Sequence, residues 1–119
     1  MAIHDPNLDV LFTALGDPTR RAILARLARG PATVSELAAP HDMALPSFMG
    51  HLKKLEDSGL IFTTKEGRVR TCTLLPEAFT PARSWLDEQK DIWEGRLNRL
   101  DDYVIKLMKE RSNGPRSQD

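Results

Sequence analysis

The residues best equipped for chemistry are basic and fall in two short stretches. Arg68 and Arg70 in KEGRVRT alternate along a strand, so both project from one face, with Lys65 just before them. Lys53 and Lys54 close a second stretch, LPSFMGHLKK, which also holds Pro46, Ser47, Met49, Gly50 and His51. Guanidinium and ammonium groups spaced this way suit phosphate oxygens, the first as forked donors and the second as point charges. Ser47 and His51 stand at i and i+4, the spacing of a nucleophile and its base. No third orienting group or oxyanion donor accompanies them, so catalysis is not expected. His51 is open to two readings, a contact to phosphate or a hydrogen bond to a neighbouring element. The single cysteine, Cys72, is read as a small half-buried hydrophobe in preference to a redox sensor, because no second thiol could resolve it. Asp87, Asp91, Asp101 and Asp102 are hard oxygen donors at helical spacing, a solvated face in preference to a transition-metal site. Neither a metal nor a cofactor is expected.

The chain that must position these groups has 119 residues, which is one domain's worth. It is 40% apolar with a mean hydropathy of -0.40, a composition for one buried core in a soluble protein. No apolar run approaches the ~18–20 residues of a membrane span, so no membrane role is expected. MAIHDPNLDV lacks the basic and apolar regions of a secretory signal, and one cysteine excludes an intramolecular disulfide framework. A cytoplasmic protein is expected. Lys+Arg and Asp+Glu each total 17, so the net charge is zero and only a locally basic face is open to an anionic polymer. Such a face exists in outline: Arg20, Arg21, Arg26 and Arg29 stand against Asp17 alone, while residues 76–110 are mildly acidic. Arg20 and Arg21 could pair with acids or touch phosphates, and their positions do not choose.

Residues 1–7 read as a flexible arm. Leu8, Leu11, Phe12 and Leu15 recur at helical spacing up to Gly16. Asp17-Pro18 is a start signal, an acceptor for free backbone N–H groups followed by a proline where no donor is needed. That second helix buries Ile23, Leu24, Leu27 and Ala28 and stops at Gly30-Pro31. Thr33 and Glu36 have the spacing of a capping box, opening a short helix to about Ala39. A longer helix runs from about Leu45 to Ser58 with Phe48, Leu52 and Leu55 inward, ended by Gly59 in a left-handed conformation. Leu60 to Thr64 and Val69 to Leu74 read as a hairpin. A final helix spans about 80–111, with Leu86, Trp93, Leu97, Leu100, Val104 and Leu107 at the alternating three/four spacing of a helix–helix seam. Trp85 and Trp93 are read as core or dimer anchors. Residues 112–119 read as a disordered polar tail. The fold class is mainly α with a small β-hairpin, and a short capped helix, a longer one and a hairpin in that order make a winged helix-turn-helix.

LFTALGDPTRRAILARLARGPATVSELA, LPSFMGHLKKLEDSGLI and KEGRVRT together resemble the ArsR/SmtB family of bacterial winged-helix transcriptional repressors, over about residues 8–110. The resemblance implies a homodimer built on the first and last helices and a second helix of the pair that reads operator DNA. Metal-sensing members carry paired cysteines where this chain reads Val34-Ser35-Glu36-Leu37-Ala38, or His and carboxylate ligands on the last helix, where this chain has no His. The resemblance is therefore to a metal-independent branch, of the sporulation-delay repressor kind, whose effector is not legible in these residues.

The expected DNA-binding residues are Pro46, Ser47, Met49, Gly50, His51, Lys53, Lys54, Lys65, Arg68 and Arg70. The expected dimer interface is Leu8, Leu11, Phe12 and Leu15 with the seam from Leu86 to Leu107. The expected partners are an inverted-repeat operator in double-stranded DNA and a second copy of the chain. The alternative function is a winged-helix module that recognises protein instead of DNA.

Overall fold

The computed structural model describes residues 6–116, with the side chains of residues 7–111. The elements run α1 (Pro6–Leu15), α2 (Pro18–Leu27), β1 (Ala32–Thr33), α3 (Val34–Ala38), α4 (Leu45–Asp57), β2 (Ile61–Glu66), β3 (Val69–Leu74), a 3-10 turn (Pro76–Phe79) and α5 (Thr80–Arg116). The described residues form two compact units, 6–82 and 83–116, the second consisting of α5 beyond its first turn.

Local chemistry sets the helix ends in the first unit. Asp17 Oδ1 accepts the backbone N–H groups of Thr19 at 2.8 Å and Arg20 at 3.2 Å, with Pro18 in the first helical position. Burial pushes the Asp17 carboxyl up, but those N–H groups and the nearby His51 and Arg20 outweigh it and hold it below its ordinary value. The capping box at α3 is complete: Thr33 Oγ1 accepts from the Glu36 N–H at 3.1 Å, and the Thr33 N–H donates to Glu36 Oε1 at 2.9 Å. The hydrogen bonds from Thr33 hold the Glu36 carboxyl low as well. At the end of α4, the N–H of Leu60 reaches the carbonyl of Leu55 and that of Gly59 reaches Glu56. Gly59 takes a φ of 79°, which only glycine adopts without strain.

Both lowered carboxyls give a testable sign. A carboxyl whose folded pKa is depressed stabilises the fold above its unfolded pKa, and that stability is lost as pH falls through the folded value. The melting temperature is therefore expected to drop below about pH 4, and to drop less steeply in the Asp17→Asn/Glu36→Gln double variant. Thermal melts in a pH series decide it, and parallel acid limbs would show that these caps carry no charge dependence.

Phe48, Leu52 and Leu55 on α4 meet Ile23, Leu24 and Leu27 on α2, Leu37 on α3, and Leu60, Ile61 and Cys72 from the sheet side in one buried core. The sheet has three antiparallel strands in the order β1-β3-β2, one more than a hairpin. The added strand pairs Ala32 with Cys72 and Thr33 with Thr71. The β2–β3 ladder runs from Ile61↔Leu74 to Glu66↔Val69, which leaves Gly67-Arg68 as a two-residue turn. Gly67 at φ 60°, with no positive φ at Arg68, fits the type II′ hairpin turn.

Five expectations change. Ala28, expected in the buried stripe of α2, is exposed, because it caps the end of that helix, past its last buried turn. Pro6 and Asn7 belong to α1, not to an arm, because proline fits the first helical turn; residues 1–5 lie outside the described residues. The backbone of α5 continues to Arg116, since each added residue extends an existing ladder without a new nucleation cost. Residues 117–119 of the expected tail lie outside the described residues. Arg68 sits in the turn, one place before β3, so it does not share a strand with Arg70. Leu11 is 3% exposed and packs in its own chain's core, which leaves it no surface to bury against a second copy.

Candidate nucleic-acid interface

The inward face of α4 is fixed by Phe48, Leu52 and Leu55, so at 100° per residue the opposite face turns outward. Pro46, Ser47, Gly50, Lys53 and Lys54 are exposed there, and Met49 is half-buried at the edge, packed against the core. A methyl group added at Gly50 would meet nothing within 4 Å, so internal packing does not require the glycine. Lys53 Nζ lies 3.1 Å from Asp57 Oδ2, an exposed i,i+4 pair worth about 0.2–0.5 kcal/mol and easily exchanged for another anion.

The wing comes close to this face. Arg70 shares a side of β3 with the buried Cys72, the side packed on the helices, and its guanidinium lies 3.9 Å from Glu56 on α4. Arg68 projects from the turn and Lys65 from β2, both exposed. Between α3, the start of α4 and the wing lies an open groove of about 700 Å3, lined by Val34, Leu45, Met49, Arg68, Val69 and Arg70 among others. The groove joins two stretches far apart in the chain, an apolar floor from the helices and two cations from the wing. Leu45, at 60% exposure, and Val69, at 52%, were not among the expected contact residues. Large apolar groups exposed beside a basic strand were the available signal.

His51 departs from the expected set. Its Nδ1 lies 3.0 Å from Nη1 of Arg20 and 3.8 Å from Asp17 Oδ1, so the ring turns in towards α2, not out towards solvent. The reason is a buried cation: Arg20, at 6% exposure, must place every donor it can on an acceptor. Cys72 is fully buried, more so than expected, with Sγ 3.7 Å from Thr63 Oγ1, and burial pushes its thiol up, away from the reactive thiolate. Among the described residues, no group of three His, Cys, Asp or Glu side chains is placed to hold a metal ion, and no helix is long and apolar enough to cross a membrane.

On α5, Leu86, Trp93, Leu97, Leu100, Val104 and Leu107 are all exposed within the single chain, at 40–58%. Ile92, Tyr103, Ile105 and Met108 are exposed too, beyond the stripe read from spacing. On α1, Leu8, Phe12 and Leu15 are half-buried, the last two against the core, while Val10 is exposed.

A helix-turn-helix domain family matches residues 15–62, which span α2, α3 and α4. The HTH-type transcriptional regulator Rv2034 of Mycobacterium tuberculosis is 39% identical over 79 residues, 66% of this chain and 74% of that protein. The transcriptional repressor SdpR of Bacillus subtilis is 29% identical over 76 residues, 64% of this chain and 84% of that one. A crystallised ArsR-family transcriptional regulator superposes with a TM-score of 0.74 and 62% identity, over 79% of this chain and 97% of its own. An ArsR-like regulator from Rhodococcus sp. RHA1 superposes with a TM-score of 0.67 and 29% identity, over 79% and 89%. These relatives are regulators and not enzymes, and the helix-turn-helix match spans the helix that carries the outward α4 face. The chain belongs to the ArsR family of transcriptional regulators.

Proposed function

We propose that this regulator is a homodimeric repressor acting in the cytoplasm, which reads an inverted-repeat operator with α4 and grips the flanking sugar–phosphate backbone with its wing. The observation that carries this reading is the groove where Leu45 and Met49 of α4 meet Arg68 and Arg70 of the wing. An α-helix fits a major groove about 12 Å wide, and a basic hairpin beside it reaches the next stretch of backbone. Residues 8–111 form the working protein, with α5 as the dimerisation helix. Two α4 helices related by a two-fold axis would meet half-sites about 34 Å apart. The repressor name of the Bacillus relative supports the sign of regulation.

Pro46, Ser47, Met49, Gly50, Lys53 and Lys54 offer few forked donors for base edges, each of which is worth about 1–3 kcal/mol of discrimination. Met49 and Leu45 are suited to thymine methyls, and the bare Gly50 backbone to close approach, so specificity is modest and leans on DNA shape. Binding to DNA from upstream of the chain's own gene, measured against random duplex across a salt series, tests this. The Arg68→Ala/Arg70→Ala variant is expected to weaken all sequences alike and to lower the salt slope by about 0.9 for each phosphate that is no longer neutralised. Unchanged affinity and slope would favour the protein-interaction reading of the same fold.

A further inference from the structure

Arg20 makes contacts that a phosphate ligand would have to abandon. From the first turn of α2, its Nε donates to the carbonyl of Ala14 and its Nη2 to that of Thr13, each at 2.8 Å. Those carbonyls belong to the last turn of α1, where the helix dipole favours a cation; that of Thr13 also accepts the N–H of Gly16 at 3.1 Å. The third arm, Nη1, points at His51 Nδ1 on α4 at 3.0 Å. A guanidinium only donates, so this contact is a hydrogen bond with Nδ1 as the acceptor. Arg20's own backbone N–H is held by Asp17 Oδ1 at 3.2 Å. One planar group, 6% exposed, thus joins the end of α1, the start of α2 and the middle of α4.

We propose that Arg20 and His51 are a positioning pair that sets the rotation of α4 about its own axis, and with it the aim of the operator-facing residues. This rests on the DNA-reading role of α4 given above. Phe48, Leu52 and Leu55 fix how deeply α4 sits, but apolar contact is non-directional and tolerates some roll. The bond from Arg20 is directional and weakens steeply off axis. It is anchored at its far end on two carbonyls of another helix. His51 is adjacent to Gly50 and four residues beyond Ser47, so a roll that breaks the bond also swings the outward face.

His51→Ala and His51→Asn form the test, because the asparagine Oδ1 can accept where Nδ1 does. Each is assayed for operator affinity, random-duplex affinity, salt slope and melting temperature. In His51→Ala, operator affinity is expected to fall about tenfold, with random-duplex affinity and salt slope unchanged. In His51→Asn, operator affinity is expected to return to the wild-type value. A fall of both affinities together, with the slope lower by about 0.9, would make His51 a phosphate ligand and overturn the proposal. An asparagine variant no better than alanine, with both melting like wild type, would overturn it too. Amide hydrogen exchange across residues 13–16 and 45–57 needs no DNA and separates the two readings. Faster exchange in His51→Ala and wild-type exchange in His51→Asn support the positioning pair even if the wild-type chain proves not to bind DNA. Unchanged exchange in His51→Ala overturns it.

Discussion

Leu97→Asp is expected to convert the proposed dimer to monomers and to lower operator affinity by about a thousandfold or more, the difference between engaging two half-sites and one. α5 carries Leu86, Trp93, Leu97, Leu100, Val104 and Leu107 on one stripe, and each is exposed in the single chain. Large apolar side chains exposed together along one helix face mark an interaction surface. A carboxylate at its centre must either ionise unpaired inside the seam, at several kcal/mol, or hold the seam open to solvent. Among the described residues, the buried core ends at Ala82, so the substitution leaves the core of the first unit intact. Light scattering at micromolar concentration, with an operator titration beside it, reads the result. A variant that stays dimeric and binds like wild type would remove α5 from the interface.

The second large effect lies inside the fold. Phe48 is 1% exposed on the buried face of α4, its ring 5.6 Å from that of His41. Phe48→Ala is expected to cost about 3–5 kcal/mol, because the surrounding core closes only partly over the space left. Against a typical total of about 5–15 kcal/mol, that is a large share of the stability of a domain this size. The urea midpoint should fall by about 2 M, with the slope unchanged. Phe48→Leu, which restores most of the volume, should recover much of the loss. A midpoint within about 0.5 M of wild type in the alanine variant would show that α4 is not anchored through this ring.

The elements that could be read from sequence are those whose determinants lie within a few residues of one another. Asp17-Pro18, the Thr33 and Glu36 pair and Gly59 each act on backbone groups two to five positions away, and each does what its spacing predicts. The apolar period of α4 likewise names its own buried face. What escaped prediction depends on partners distant in the chain. β1 is two residues long, too short for any alternation, and exists because Cys72 and Thr71 lie beside it. Leu11 looks the same in a stripe whether it faces its own core or a second copy. On a helical wheel, His51 falls beside the outward residues, and only the buried guanidinium from α2 turns it in.

Thr33 ends β1, where it pairs with Thr71, and in the same position caps α3 through Glu36. The wing is therefore not an antenna hung from two linkers. It is spliced into the first turn of the short helix that precedes α4, and a pull on β3 is borne by α3 as well. A loose hairpin that had to be ordered on contact would surrender roughly 1–2 kcal/mol of backbone freedom per residue. Here that ordering is completed during folding. A partner that meets α4 would then find the base of the wing already in place, and its association rate is expected to follow the collision of two folded shapes more than the search of a tethered arm.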